Sequence, residues 1–159
     1  MFEIHLSKET FKFSCSHFTI LAADRAERLH GHNYQLRIDI QVGSLDPKLG
    51  LAFDFNTVKP LIRALCDGLD ERILLPLNSP YLKVTSAGSQ VDVQFGSKRY
   101  SFPAEDTFQL PLTNITSEEL ARYAAEQLVR SMTAVPAWTR IRVHVEETPG
   151  QSVSFTLSR

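Results

Sequence analysis

His30-Gly31-His32-Asn33-Tyr34 heads a run of strict two-residue alternation. Tyr34, Leu36, Ile38, Ile40 and Val42 are apolar, and Gln35, Arg37, Asp39 and Gln41 between them are polar. That period predicts a half-buried β-strand, in which residues i and i+2 point to the same face. His30 and His32 share the parity of the buried face and sit at its end, so both imidazoles can reach one point at the rim of a core. Taken alone, the pair fits two arrangements. It is either part of a metal site, or a hydrogen-bonded core histidine with a chance neighbour, because zinc takes at least three protein ligands.

The sequence upstream offers a third imidazole. Phe2, Ile4 and Leu6 alternate, Ser7 to Thr10 reads as a turn or bulge, and Phe11, Phe13, Cys15 and His17 then share one parity against Lys12, Ser14 and Ser16. His17 ends the apolar face of one strand as His30 and His32 begin that of the next. An antiparallel hairpin lays the end of the first beside the start of the second, and the three imidazoles then converge. The connection from Phe18 to Leu29 carries Asp24, Arg25, Glu27 and Arg28. It is either a solvated charged loop or a loop that brings one acid into the site, for which Glu27 is best placed. Cys15 shares the His17 face and is expected in the core as an inert thiol.

Downstream, Gly43 to Pro47 and Leu49-Gly50 mark a turn. A helix is expected from about Asp54 to Gly68, with Val58, Leu61, Ile62 and Leu65 on one stripe and Pro60 in its first turn. Asp70 and Glu71 follow it, either solvated or serving a site from a connection. A meander of two or three short strands is expected between Leu82 and Phe102. Thr116-Ser117-Glu118-Glu119 opens a second helix with a capping box, ending before Pro136. Two strands close the chain, one through Ile141, Val143, Val145 and Glu147, the other through Val153, Phe155 and Leu157. Glu147 is a carboxylate continuing an apolar face. It either emerges at the strand end or awaits a donor-rich partner, since an unpaired buried charge is costly. His5 and His144 lie on polar strand faces and are expected to be ordinary surface residues. The order is α+β, with a four-stranded antiparallel sheet, two helices on one face and a small β insert between the helices.

The 159 residues fit one domain, 1–159, with the insert at about 76–111. A net charge of -1 leaves no electrostatic footprint for nucleic acid. No apolar run approaches membrane-spanning length, and the N-terminus has no basic region followed by an apolar core, so it does not read as a signal peptide. Cys15 and Cys66 are the only cysteines and read as reduced thiols of a cytoplasmic protein.

Taken together, His17, the block Leu29-His30-Gly31-His32-Asn33-Tyr34, Asp54-Phe55, Leu69-Asp70, Thr116-Ser117-Glu118 and Glu147-Thr148 resemble the 6-pyruvoyltetrahydropterin and 6-carboxytetrahydropterin synthase family, of the tunnelling fold. The resemblance implies that His17, His30 and His32 bind Zn2+. It implies a carbon–oxygen lyase acting on 7,8-dihydroneopterin triphosphate, whose side-chain hydroxyls meet the metal. Glu147 would hold the pterin's 2-amino and N3 groups, and Thr116 and Ser117 would line the pocket. The family assembles trimers, often stacked into hexamers, with sites between subunits. The sequence departs from the family pattern twice. Ala26 stands where the family's catalytic cysteine is usual, and the neighbouring Glu27 is similar to the glutamate of a subgroup that cleaves the side chain to 6-hydroxymethyl-7,8-dihydropterin, a folate precursor. Glu71 stands where a histidine usually follows Asp70, so Asp70 and Glu71 are the expected relay. The competing products are 6-pyruvoyl- and 6-carboxy-tetrahydropterin. A non-catalytic zinc-containing binder of a pterin or purine-like ligand is the competing class.

Overall fold

The computed structural model describes residues 1–133 and 138–159. In chain order these form β1 (Phe2–Leu6), β2 (Lys12–His17), β3 (Ile20–Ala22), β4 (Arg25–Ala26), β5 (His30–Val42), α1 (Lys59–Leu69), β6 (Arg72–Pro76), β7 (Lys83–Ala87), β8 (Gln90–Phe95), β9 (Lys98–Pro103), β10 (Thr107–Leu110), α2 (Ser117–Ser131), β11 (Trp138–Thr148) and β12 (Gln151–Ser158).

The alternating run is the centre of the sheet. β1 pairs antiparallel with the second half of β5, Leu6 opposite Ile38, and β2 with its first half, His17 opposite His30. The expected break at Ser7 to Thr10 therefore divides one lane into two strands. β11 pairs along the other edge of β5, and β12 follows it. Tyr34, Leu36, Ile38 and Ile40 are fully buried against Ile62 and Cys66 of α1, Leu120, Ala124 and Leu128 of α2, and Val143 and Val145 of β11. Each such aliphatic side chain contributes about 1.5–3 kcal/mol by leaving water.

The expectation of four antiparallel strands needs correction. The four long lanes are present, but the sheet has seven strands among the described residues, because β6 joins β2 in parallel and β10 joins β6 in parallel. Ile73-Leu74-Leu75 is too short an apolar run to carry a period of its own. Parallel pairing is open to it because the insert supplies the long connection that parallel neighbours require. The insert itself is a separate three-stranded antiparallel sheet, β7-β8-β9, as the turn residues indicated.

The helix ends also differ in detail. Asp54 accepts a hydrogen bond from the Asn56 amide at 2.8 Å and starts a single 3-10 turn, after which α1 begins at Lys59. α1 runs past Gly68 to Leu69. The left-handed backbone beyond it falls to Glu71, at φ 54°, whose N–H donates to the Ser14 carbonyl at 2.7 Å. Such a conformation is uncommon for a side chain without a glycine's freedom. Thr116 caps α2 by accepting from the Glu119 amide at 3.3 Å, while the Glu119 carboxylate turns to Arg122 at 2.7 Å, so half of the capping box forms. Pro136, the expected stop, lies outside the described residues.

His5 and His144 are not ordinary surface residues. Asp39 is buried on the sheet face away from the helices, where its carboxylate accepts from His5 Nδ1 at 2.6 Å, His144 Nε2 at 2.7 Å and Arg37 Nε at 3.1 Å. The polar face of the strand run holds a charge that its cross-strand neighbours satisfy, which alternation alone does not reveal.

Candidate active site

The β2–β5 register brings the three histidines together. His17 lies opposite His30, and Cys15 lies opposite His32. One ring nitrogen from each of His17, His30 and His32 falls within 4.8 Å of the others. The second nitrogen of two rings is already engaged: His17 Nδ1 donates to the Ile115 carbonyl at 3.1 Å and His30 Nδ1 to the Arg28 carbonyl at 2.6 Å. A backbone carbonyl on Nδ1 fixes the tautomer whose Nε2 is a free donor atom. His30 Nε2 and His32 Nε2 approach to 2.9 Å. Burial lowers the His17 pKa, and the His30 and His32 rings beside it add to that, against the Ile115 carbonyl and Glu147. His17 is thus held neutral, the form that ligates. The donor set fits a cation that takes imidazole nitrogen, with three protein ligands and no fourth among the described residues.

A cavity of about 440 Å³ opens beside this cluster, lined by Glu27, His30, His32, Thr116, Ser117 and Glu147 among others. Glu27 comes from the loop after β4. Its Oε2 lies 3.8 Å from His30 Nε2 and accepts from the Thr19 amide at 3.2 Å. Partial burial raises its pKa, but the Thr19 hydroxyl and amide and the His30 and His17 rings outweigh that, so the carboxyl is held below its usual range and is ionised at neutral pH. Glu147 closes β11 on the core face. It lies 3.3 Å from His32 Nε2 and accepts from Tyr34 Oη at 3.0 Å and Gln151 Nε2 at 3.1 Å.

Asp70 and Glu71 are elsewhere. Both attach to the edge of β2 at Ser14, Asp70 Oδ1 accepting from its amide at 2.6 Å and the Glu71 amide donating to its carbonyl. Glu71 lines a second cavity, of about 420 Å³, with Ser14, Ser16, Asn33 and Asp106, and Cys15 and His32 reach the same cavity. Within one chain neither acid lines the cavity of Glu27 and Glu147, and Glu71 meets the histidine cluster only at His32, from the second cavity. Cys15 is buried, and burial pushes its thiol up to about 12, with Asp70 and Glu147 adding to that, so it stays protonated.

Three contributors were not read from the sequence. Tyr34 carries its hydroxyl to Glu147 and stands 3.3 Å from His17 Nε2. Burial and Glu147 raise its pKa, so it donates as a phenol. Its parity with His30 and His32 was the available signal, masked by its fit to the apolar face. Gln151 stood just past a recognised turn. Asn114 grips both backbone groups of Ile20, accepting from its amide at 3.0 Å and donating to its carbonyl at 2.8 Å. No local pattern announces a contact across that span of chain.

An α+β fold whose sheet ends in a three-histidine cluster, beside one loop carboxylate and one strand-end carboxylate, defines a candidate metal-assisted enzyme site. The family model for 6-pyruvoyl tetrahydropterin synthase matches residues 5–157, and the chain belongs to that family. It is an enzyme of the lyase type in pterin biosynthesis, with the tunnelling fold. A provisionally named 6-carboxy-5,6,7,8-tetrahydropterin synthase of Methanocaldococcus jannaschii is 27% identical over 128 residues, 80% of this chain and 77% of the relative. The 6-carboxy-5,6,7,8-tetrahydropterin synthase of Rickettsia conorii is 28% identical over 108 residues, 67% of this chain and 74% of the relative. The crystal structure of Plasmodium vivax 6-pyruvoyl tetrahydropterin synthase superposes with a TM-score of 0.92 at 26% identity, covering 99% of this chain and 98% of that one. The Plasmodium vivax protein has also been solved with a catalytic glutamate replaced by alanine and by cysteine.

Proposed function

We propose that this protein is a zinc-dependent lyase acting on 7,8-dihydroneopterin triphosphate and releasing 6-hydroxymethyl-7,8-dihydropterin. The observation that carries the reading is the grouping, around one cavity, of the three histidines with Glu27 and Glu147. A zinc ion held by His17, His30 and His32 would supply Lewis-acid polarisation of the substrate's side-chain oxygens. Glu147 offers a carboxylate to the adjacent N–H donors of the pterin edge. Tyr34 and Gln151 orient it, and Thr116 and Ser117 line the wall beside it. Glu27 would accept the proton of the C2′ hydroxyl as the C1′–C2′ bond breaks, C2′ leaving as an aldehyde that keeps the triphosphate, and would return the proton to C1′. Its ionised state suits the first of these steps. Ala26 leaves no thiol at the position where the cysteine-dependent members carry one. The catalytic glutamate of the Plasmodium vivax relative supports giving that work to Glu27.

Neither Asp70 nor Glu71 lines the cavity that holds Glu27 and Glu147, and we assign them to the site of a neighbouring copy in a homo-oligomer, a trimer or hexamer. β1 and β12, paired on one side only, offer edges for such an assembly. Incubation of the purified protein with dihydroneopterin triphosphate, followed by chromatographic identification of the pterin, tests the reading. A 6-hydroxymethyl product is expected. A 6-pyruvoyl or 6-carboxy product moves the chain to the other branch of the family, and no turnover with zinc fully loaded leaves a ligand binder.

A further inference from the structure

The insert turns its apolar face toward the loop that carries Glu27. Val91, Val93 and Phe95 of β8 form a second buried cluster with Phe18, Ile20, Leu75 and Leu82. Ala26 and Leu29, which flank the Glu27 segment, pack against the same cluster. The Phe18 ring stacks on Tyr100 of β9 at 5.5 Å and 23°, and Tyr100 stacks in turn on Phe102 at 5.8 Å and 13°. Phe18 lies between the ligand candidate His17 and Thr19.

Thr19 is the residue from which Glu27 hangs. The Glu27 amide donates to the Thr19 carbonyl at 2.9 Å, and the Thr19 amide donates to Glu27 Oε2 at 3.2 Å. The Glu27 side chain is 41% exposed, so little packing fixes its direction and the place of Thr19 decides it. The β3–β4 ladder beside it joins strands of three and two residues, too short to be rigid by itself. The loop therefore depends on outside anchors: the Asn114 amide on Ile20, the Ile115 carbonyl that accepts from the Thr19 hydroxyl at 3.4 Å, and the apolar cluster with its aromatic stack beneath Phe18.

We propose that the β7–β9 insert is the buttress of the proton-transfer loop and that Tyr100 is a positioning residue, setting Glu27 through Phe18 and Thr19. The kinetic part rests on the role given to Glu27 above. The structural part does not. A carboxylate displaced by about 1 Å from its working position loses rate steeply.

The test compares Tyr100→Ala, Tyr100→Phe and the pair Glu27→Ala and Glu27→Ala/Tyr100→Ala. Tyr100→Ala is expected to lower kcat by about ten- to a hundred-fold, with KM and bound zinc unchanged. Tyr100→Phe keeps the ring stack and the wild-type rate. In the Glu27→Ala background the second substitution costs nothing further, because both act through one group. Amide hydrogen exchange supplies a readout that needs no substrate: the Glu27 N–H exchanges about ten-fold faster in Tyr100→Ala, while the amides of Ile38 and Ile40 are unchanged. Where Tyr100→Ala fails to fold, Tyr100→Leu, which keeps an apolar side chain against the cluster and loses the stack, carries the same expectations. Equal kinetic losses in both backgrounds, or an unchanged Glu27 exchange rate, overturn the proposal. A wild-type protein without turnover overturns the enzymatic reading, while the exchange rates still decide the buttress.

Discussion

Replacing Glu27 by glutamine separates its chemistry from its structural role. Glutamine keeps the side-chain length and an oxygen for the Thr19 amide now 3.2 Å away, but it cannot take a proton. Removing a positioned acid–base group costs about 10²–10⁴-fold in rate, or about 2.7–5.5 kcal/mol at about 1.36 kcal/mol per decade. The effect on folding is small. The side chain is 41% exposed, its contact with His30 is 3.8 Å long, and a solvated pair of that kind is worth well under about 1 kcal/mol. Zinc binding is expected to survive, because the three ring nitrogens and their carbonyl partners are untouched. The assay is product formation from dihydroneopterin triphosphate by liquid chromatography, with Tm and zinc content read on the same samples. A kcat within about threefold of wild type at equal zinc loading would remove Glu27 from the chemistry.

Glu147→Ala removes the acceptor expected at the pterin edge, a charged hydrogen bond worth about 1.5–3 kcal/mol. kcat/KM should fall about ten- to a hundred-fold, and unchanged steady-state kinetics would dismiss the pterin-edge assignment. Tyr34→Phe deletes the hydroxyl that donates to Glu147 at 3.0 Å. It should lower kcat/KM less than Glu147→Ala does, which the same assay checks. Asp39→Ala breaks three close contacts, but His5 and Arg37 are half exposed and return to water. The expected loss is therefore about 1–3 kcal/mol, read as a drop of about 3–10 °C in Tm. Burial raises the Asp39 pKa, yet the bonds from His5, His144 and Arg37 outweigh it and hold the carboxyl below its usual range. Its stabilisation is then complete above the unfolded value near about pH 4 and is lost as pH falls through the lower folded value. The stability gap between wild type and Asp39→Ala in urea titrations should therefore close in acid, and a gap constant down to about pH 2 would contradict the pairing.

Much of this arrangement could be read from strand parity. His17, His30, His32 and Glu147 each continue an apolar face at a strand end, and an antiparallel register is enough to gather them at one rim. Glu27 could be named because, of the two acids between Phe18 and Leu29, it stands nearer His30. What escaped depends on pairings without a local period. β6 and β10 are short apolar runs whose parallel partners lie far away in sequence. Asp39 read as a solvent-facing residue because alternation assigns a face and says nothing of what covers it. Asp70 and Glu71 are expected at the site from the resemblance, while the backbone at Glu71 ties both to Ser14 on the β6 side of β2. Tyr34 was hidden by being apolar enough for the core and polar enough, at its tip, for the site.

Metal analysis of the purified protein tests the three-histidine centre most directly. About one zinc per chain is expected in the wild type, with its loss in His17→Ala while the fold is retained. Wild-type protein prepared with zinc present that carries none, or His17→Ala that keeps a full complement, would contradict it.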